Sequence, residues 1–237
     1  MPTKPEVGLA TATVVVGLAG LVACLVVLGT VAEGVRSQEQ FALDAWAGPF
    51  LHGISSPGMD AVMNGITDLG TVFVFGPLLI ILVAWLVRTG HPRPALFLIV
   101  GMVGSTVIQW SMKPFFARPR PELAWSPVLP DYSFPSGHTL NAVIFYGGIA
   151  LVVWSLYGRR AGLAAVGIAA VVGLAVGVSR IYLGAHYLTD VVGATVAGVA
   201  WLLVVGAAFR ARPTWRRWRS KDGTVHGPAG PGTLAAR

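Results

Sequence analysis

Apolar residues gather into long runs along this chain, separated by short polar connections. A helix that crosses a hydrocarbon core of roughly 30 Å needs ~20 mostly apolar residues. That criterion predicts six spans, at about 8–32, 69–87, 94–112, 138–156, 161–178 and 187–209. The expected fold is therefore all-α, a six-helix transmembrane bundle forming one membrane domain over residues 1–209, followed by a basic tail over 210–237. The first run is longer than a secretory signal core and only Lys4 is basic before it, so an uncleaved helix is expected. Between the first two runs, residues 37–68 are polar enough to leave the membrane yet carry Phe41, Leu43, Trp46, Phe50, Leu51 and Ile54. This pattern predicts short interfacial helices broken near Pro49 and Pro57.

Composition agrees with a membrane class. Of 237 residues, 54% are hydrophobic and only 11% charged, too few charges for a soluble surface of this size. The net charge of +7 could suggest nucleic acid, but the basic residues lie between apolar runs and not on a soluble face. Topology accounts for them better, because cytoplasmic loops are enriched in Lys and Arg. With the N-terminus inside, the inner segments hold twelve basic against two acidic residues and the outer segments five against eight. Both termini are thus expected to be cytoplasmic. In the tail, Trp215 and Trp218 alternate with Arg216, Arg217 and Arg219 as a topological anchor suited to anionic headgroups, and disorder is expected beyond about 221. The single cysteine, Cys24, lies in the first run, so neither an intrachain disulfide nor a cysteine-rich metal site is expected. Gly173 and Gly177 are spaced for close helix packing.

Charge near hydrocarbon is costly, ~2.5–3.5 kcal/mol for Arg or Lys at a helix centre on insertion scales, so clusters of it at helix ends require a reason. Three occur: Lys113 with Arg118, Pro119, Arg120 and Pro121 leaving the third run, Tyr132 to Thr139 entering the fourth, and Ser179 to Asp190 joining the fifth to the sixth. The topology puts all three on one side, the extracytoplasmic one. Lys113, Arg120 and Arg180 then converge as cations, and the planar fork of arginine suits phosphate oxygens. The turn before His138 leads onto a helix N-terminus, where free N–H groups favour an anion. If the last helix begins near His186, Asp190 lies on the same face and can hold the imidazole tautomer. His138, across the anion, has the chemistry to protonate a leaving oxygen.

These three clusters match Lys-x6-Arg-Pro, Pro-Ser-Gly-His and Ser-Arg-x5-His-x3-Asp, and in them the chain resembles the type 2 phosphatidic acid phosphatase (lipid phosphate phosphatase) superfamily. The motifs span about a third of the sequence, and no motif position departs from the pattern. The resemblance implies that His186 is a nucleophile forming a phosphohistidine, that Asp190 is its partner and that His138 is the general acid. It further implies that Lys113, Arg120, Ser136, Gly137 and Arg180 bind phosphoryl oxygens, with no metal and no cofactor. Arg118 lacks the family spacing from Lys113 and is expected to be an auxiliary or headgroup contact. Soluble vanadate-dependent haloperoxidases share the motifs, but the apolar spans count against that chemistry. The implied partners are membrane lipids and a lipid phosphate substrate. A polyprenyl diphosphate in a bacterial cell membrane leads, followed by phosphatidic acid and phosphatidylglycerol phosphate. A lipid phosphotransferase and a non-catalytic phospholipid transporter are the alternatives, and oligomeric state stays open. His52 is expected to be interfacial, His91 and His226 to lie in loops, and Trp110, Trp125, Tyr182 and Tyr187 to be belt or packing residues.

Overall fold

The structure, a computed structural model, describes residues 4–39 and 41–210. The basic tail expected over 210–237, with its tryptophans and its disorder beyond 221, lies outside the described residues but for Arg210. The described chain is helical: α1 (Lys4–Arg36), α2 (Ala42–His52), α3 (Pro57–Asp68), α4 (Val72–Arg88), α5 (Pro92–Phe116), α6 (Gly137–Tyr157), α7 (Arg159–Tyr182) and α8 (Leu188–Arg210).

Five of the described helices are long and apolar enough to cross a membrane, in α1, α5, α6, α7 and α8. The run expected at 69–87 forms α4, whose 17 residues rise about 25 Å at 1.5 Å per residue, short of the hydrocarbon thickness. α3 and α4 qualify together as one broken span, bent by 41°. Side chains such as Val15, Val16, Ile80, Ile81, Ile168 and Val171 project outward, the surface that acyl chains would cover in an integral, multi-pass membrane protein.

α6 is the central helix, packed along α7 and flanked by α5 and α8; α1 lies against α8, and α4 against α5. Lipid tails are as apolar as leucine, so association depends on small residues and polar contacts. Both are present. Gly104 of α5 admits the Trp201 indole of α8, whose Nε1–H donates to the Gly101 carbonyl at 3.1 Å. Gly177 of α7 receives Val191, the packing expected of it. Between α5 and α6, Ser105 and Gln109 donate to Asn141 Oδ1 at 2.7 and 3.0 Å, and Asn141 Nδ2 donates to the Gly70 carbonyl at 3.3 Å.

α2 and α3 do break from one another, but at residues 53–56. Pro49 lies inside α2, and Pro57 opens α3 behind Ser56, whose hydroxyl accepts from the Met59 N–H at 3.2 Å. Proline at the first helical position surrenders an N–H that has no helical partner anyway. These helices also do more than float at the interface: both pack on α7, and Asp44 and Thr67 are buried.

Replacing Gly104 by Ala would put a methyl about 2 Å from the Trp201 ring. It is expected to destabilise the bundle by ~1–3 kcal/mol, lowering the thermal midpoint in detergent. Gly65→Ala, which meets nothing within 4 Å, should leave the midpoint unchanged or raise it; equal effects from the two would contradict this packing.

Candidate active site

The α5–α6 and α7–α8 connections meet at one end of the bundle, beneath α2 and α3. α5 ends beyond Lys113, and Ala117 takes a left-handed conformation (φ 45°) that turns the chain into Arg118. At the end of α7 the Arg180 carbonyl accepts from the N–H groups of Ala185 and His186 at 3.0 and 3.2 Å, closing a tight turn. Gly184 makes that turn possible, with φ at 66° and Ser126 and Trp125 where a Cβ would point.

His186 does not sit on α8, which begins at Leu188; it precedes the helix, so the expected helical pairing with Asp190 is instead a helix-entry turn. Asp190, in the first turn, accepts from the Tyr187 N–H at 2.9 Å, as the acid of a capping box does. The same oxygen, Oδ2, lies 3.5 Å from His186 Nδ1 and accepts from the Ser133 hydroxyl. The other oxygen accepts from Arg118 Nη1 at 2.5 Å.

On the opposite edge of the imidazole, Nε2 lies 3.1 Å from Arg120 Nη1. A guanidinium only donates, so Nε2 presents its lone pair there and the ring proton belongs on Nδ1, towards Asp190. Burial, with the positive charge of Arg120 and Arg180, lowers the His186 pKa to about 4 against the pull of Asp190. The ring is therefore neutral near pH 7, with a lone pair facing the cations.

Those cations already hold an anion. Lys113 pairs with Asp131 and donates to the Tyr132 carbonyl at 3.0 Å. Arg120 donates to Asp131 Oδ1 at 2.5 Å and to the Ala185 carbonyl at 2.7 Å. Burial acts to raise the Asp131 carboxyl, but Lys113 and Arg120 outweigh it and hold its pKa down to about 2. The Asp131 carboxylate thus places two oxygens on one carbon between Lys113 and Arg120. Arg180 donates through Nη1 to Thr67 Oγ1 at 3.0 Å, while its buried Nε has no partner among the described residues. Such an orphan donor is a costly feature unless something else accepts from it.

His138 enters α6 one residue after its start, half-buried, within the fields of Arg180, His186, Lys113 and Arg120. Ser136 and Gly137 are placed less directly. The Ser136 hydroxyl is fully buried and shares a hydrogen bond with Thr139 Oγ1 at 3.0 Å, and its N–H donates to the Asp190 carbonyl at 3.2 Å. Gly137 backs onto the Gln109 amide, which would have to move aside for a Cβ. Among the described residues no three His, Cys, Asp or Glu side chains gather as metal ligands.

Arg118, expected as an auxiliary or headgroup contact, turns inward to Asp190, Asp44 and Thr189, with its guanidinium 4.2 Å over the Tyr187 ring. His52, expected to be interfacial, is held by contacts with two residues. It stacks on Trp125 at 4.0 Å and its Nδ1 lies 3.2 Å from the Tyr182 carbonyl. Asp44, Thr67, Asp131 and Ser133 take part in the site although the sequence motifs assign a role to none of them. Ser133 stands within the second cluster and Asp131 directly before it, whereas Asp44 and Thr67 are separated from every motif by at least one helix.

The family model for the PAP2 superfamily matches residues 94–214, covering all three clusters. The chain belongs to the PAP2 superfamily. By that membership it is a metal-independent membrane phosphatase. It is 32% identical over 154 residues to phosphatidylglycerophosphatase B of Bacillus subtilis, covering 64% of this chain and 76% of that protein. It is 30% identical over 168 residues to the undecaprenyl-diphosphatase BcrC of the same organism, covering 67% and 78%. Among solved structures, a transmembrane PAP2-type phosphatidylglycerolphosphate phosphatase from Bacillus subtilis superposes with a TM-score of 0.74 at 27% identity, over 81% of this chain and 98% of that one. Aquifex aeolicus LpxE does so with a TM-score of 0.56 at 26% identity, over 71% and 97%.

The electrostatics of this PAP2 site can be tested at two positions. Asp131→Asn removes the resident anion, so competitive inhibition by orthophosphate should strengthen about 3- to 10-fold, the scale of one or two partly exposed ion pairs; an unchanged or weaker inhibition constant would contradict competition for the cradle. Arg120 holds a proton off His186, so Arg120→Gln should raise the pH at which the imidazole protonates, and the acid limb of kcat/KM should move to higher pH. A limb that stays in place or moves to lower pH would show that Arg120 does not govern the ring.

Proposed function

We propose that this PAP2 protein hydrolyses a phosphate monoester or diphosphate carried by a lipid, through a phosphohistidine on His186 Nε2. The observation that supports this most is the two-sided setting of the imidazole: a carboxylate on the Nδ1 side, and on the Nε2 side an arginine belonging to a cradle that holds an anion. In this reading the phosphoryl group displaces the Asp131 carboxylate from Lys113 and Arg120, and Arg180 turns its unpartnered Nε to the same oxygens. N–H groups at the start of α6, around Ser136 and Gly137, complete the pocket. Arg120 leaves the Nε2 lone pair to take a phosphoryl oxygen, which frees the nucleophile.

Nε2 attacks phosphorus as the bond to the leaving oxygen breaks, and His138 gives its proton to that oxygen. The imidazole becomes cationic, and Asp190 supports the charge through Nδ1–H, tightening a contact that is loose at rest. Water then attacks the phosphorus, His138 takes its proton, and the N–P bond breaks to release orthophosphate and restore His186. A recess of about 220 Å³ between α2 and residues 121–123 reaches His186, room for several waters.

The proposal extends to topology: six spans, counting α3 with α4 as one, both termini cytoplasmic and the site at the extracytoplasmic face of a bacterial membrane. The charge asymmetry of the connections supports it. The lipid tail lies among the helices with its phosphate at the cradle. Undecaprenyl diphosphate and phosphatidylglycerol phosphate, named in the relatives, are the first substrates to compare, with phosphatidic acid beside them.

Purified protein in detergent is expected to release phosphate from at least one of these lipids in the presence of EDTA, and His186→Ala to release none. Activity retained by that variant would refute the nucleophile. Arg120→Ala should lose about 10² to 10³ in rate, as removal of a preorganised donor does, and more than Arg118→Ala loses. Equal or reversed losses would overturn the assignment of Arg120 to the phosphoryl group.

A further inference from the structure

Asp44 lies in α2, far along the chain from every motif, yet it is buried against the active site with both oxygens engaged. Oδ1 accepts from the Thr189 N–H at 2.8 Å; Oδ2 accepts from the Thr189 hydroxyl at 2.6 Å and from Arg118 Nη2 at 2.8 Å. Thr189 is the second residue of α8, so its N–H is one of the donors that a helix start leaves unpaired. Asp44 therefore caps α8 from another helix, and its charge sits at the positive end of the α8 dipole.

The second consequence is electrostatic. Arg118 is shared between two carboxylates, Nη2 to Asp44 and Nη1 to Asp190. Were Asp190 its only partner, the two charges would cancel, and Asp190 would have little negative charge left for His186. Asp44 offsets the Arg118 charge, so the cluster keeps a net charge of one negative unit beside the imidazole. The other titratable groups facing His186 are Arg120 and Arg180, both cationic, and His138, which makes that surplus the local counterweight to a positive charge on the ring.

We propose that Asp44 is a positioning residue of the phosphatase reaction: through Arg118, and through the backbone N–H of Thr189 that it caps, it fixes Asp190 and leaves the Asp190 charge available to the cationic phosphoimidazole. This rests on His186 as the nucleophile. α2 thereby becomes part of the catalytic architecture, and the duplicated Arg-Pro pair divides its labour, Arg120 towards the phosphoryl group and Arg118 towards its counter-charge.

Asp44→Asn, which keeps the shape and one acceptor but removes the charge, should lower kcat about 10- to 100-fold, the scale seen when a group supporting a reacting residue is lost, with KM changed less than about 3-fold. Arg118→Gln should also lower kcat. The double variant restores the net charge of the cluster, so its loss should fall well short of the product of the single losses. Thr189→Val, which keeps all charges, should stay within about 3-fold of wild type. A wild-type kcat for Asp44→Asn, a change confined to KM, losses that multiply, or a Thr189→Val defect as large as that of Asp44→Asn would overturn the proposal. Should Asp44→Asn fail to purify as folded protein, Asp44→Glu decides the matter: retaining the charge, it should recover kcat to within about 10-fold of wild type, and a larger loss would refute a role for the charge. The same variants, labelled with 15N-histidine, give a readout independent of turnover. The His186 Nδ1 resonance should move in Asp44→Asn while that of His91 stays; an unmoved His186 resonance contradicts the coupling even if wild type proves inactive on every lipid, an outcome that would count against the phosphatase reading alone.

Discussion

Everything at this site depends on keeping one carboxylate charged where water scarcely reaches. Asp190 is fully buried at the entry of α8, and a buried charge is tolerated only when paired and hydrogen-bonded on all sides. It draws those partners from different parts of the chain: Arg118 and Ser133 from the α5–α6 connection, and Tyr187 and His186 from its own helix-entry turn. Satisfying Asp190 therefore brings the two connections together. The same contacts orient the imidazole, so a requirement of stability and a requirement of chemistry are met by one set of bonds.

The cations on the other side follow the opposite logic. Arg120, Lys113 and Arg180 crowd together, and their mutual repulsion is relieved only partly by Asp131 on an exposed loop. Arg180, nearly buried, is left with an unpartnered Nε. A cluster so incompletely neutralised favours a more highly charged oxyanion than a carboxylate, and a phosphoryl group supplies more charge and more acceptor oxygens in one body. In the proposed mechanism, selectivity for phosphate comes from an internal deficit of negative charge more than from shape.

Much of this is legible in the sequence because membrane insertion makes polar residues expensive. His138, Arg180, His186 and Asp190 stand out against apolar runs, and their chain positions fall at helix ends, so their convergence at one end of the bundle follows from the residue pattern alone. The second span is less legible. The apolar run by itself does not show that Gly70 passes against the His138 backbone and that Leu69 to Thr71 is a bend joining α3 to α4. Asp44 and Thr67 escape for a different reason. Each is one polar residue on a short amphipathic helix, and only tertiary contact distinguishes a buried cap from a solvated face. The inward turn of Arg118 is not legible either, because spacing identifies which arginine matches a motif but not where the neighbouring one turns.

His186 Nε2 is the atom on which this mechanism places the phosphoryl group, and trapping that bond tests it most directly. Protein mixed with a lipid substrate labelled with 32P in the transferred phosphate and quenched in alkali, where a phosphohistidine survives, should carry label that acid releases and that maps to the peptide containing His186. The label should be absent from His186→Ala. Label on another residue, or turnover by rapidly quenched wild type without any labelled protein, would contradict a covalent route through His186, the latter leaving direct attack by water as the mechanism.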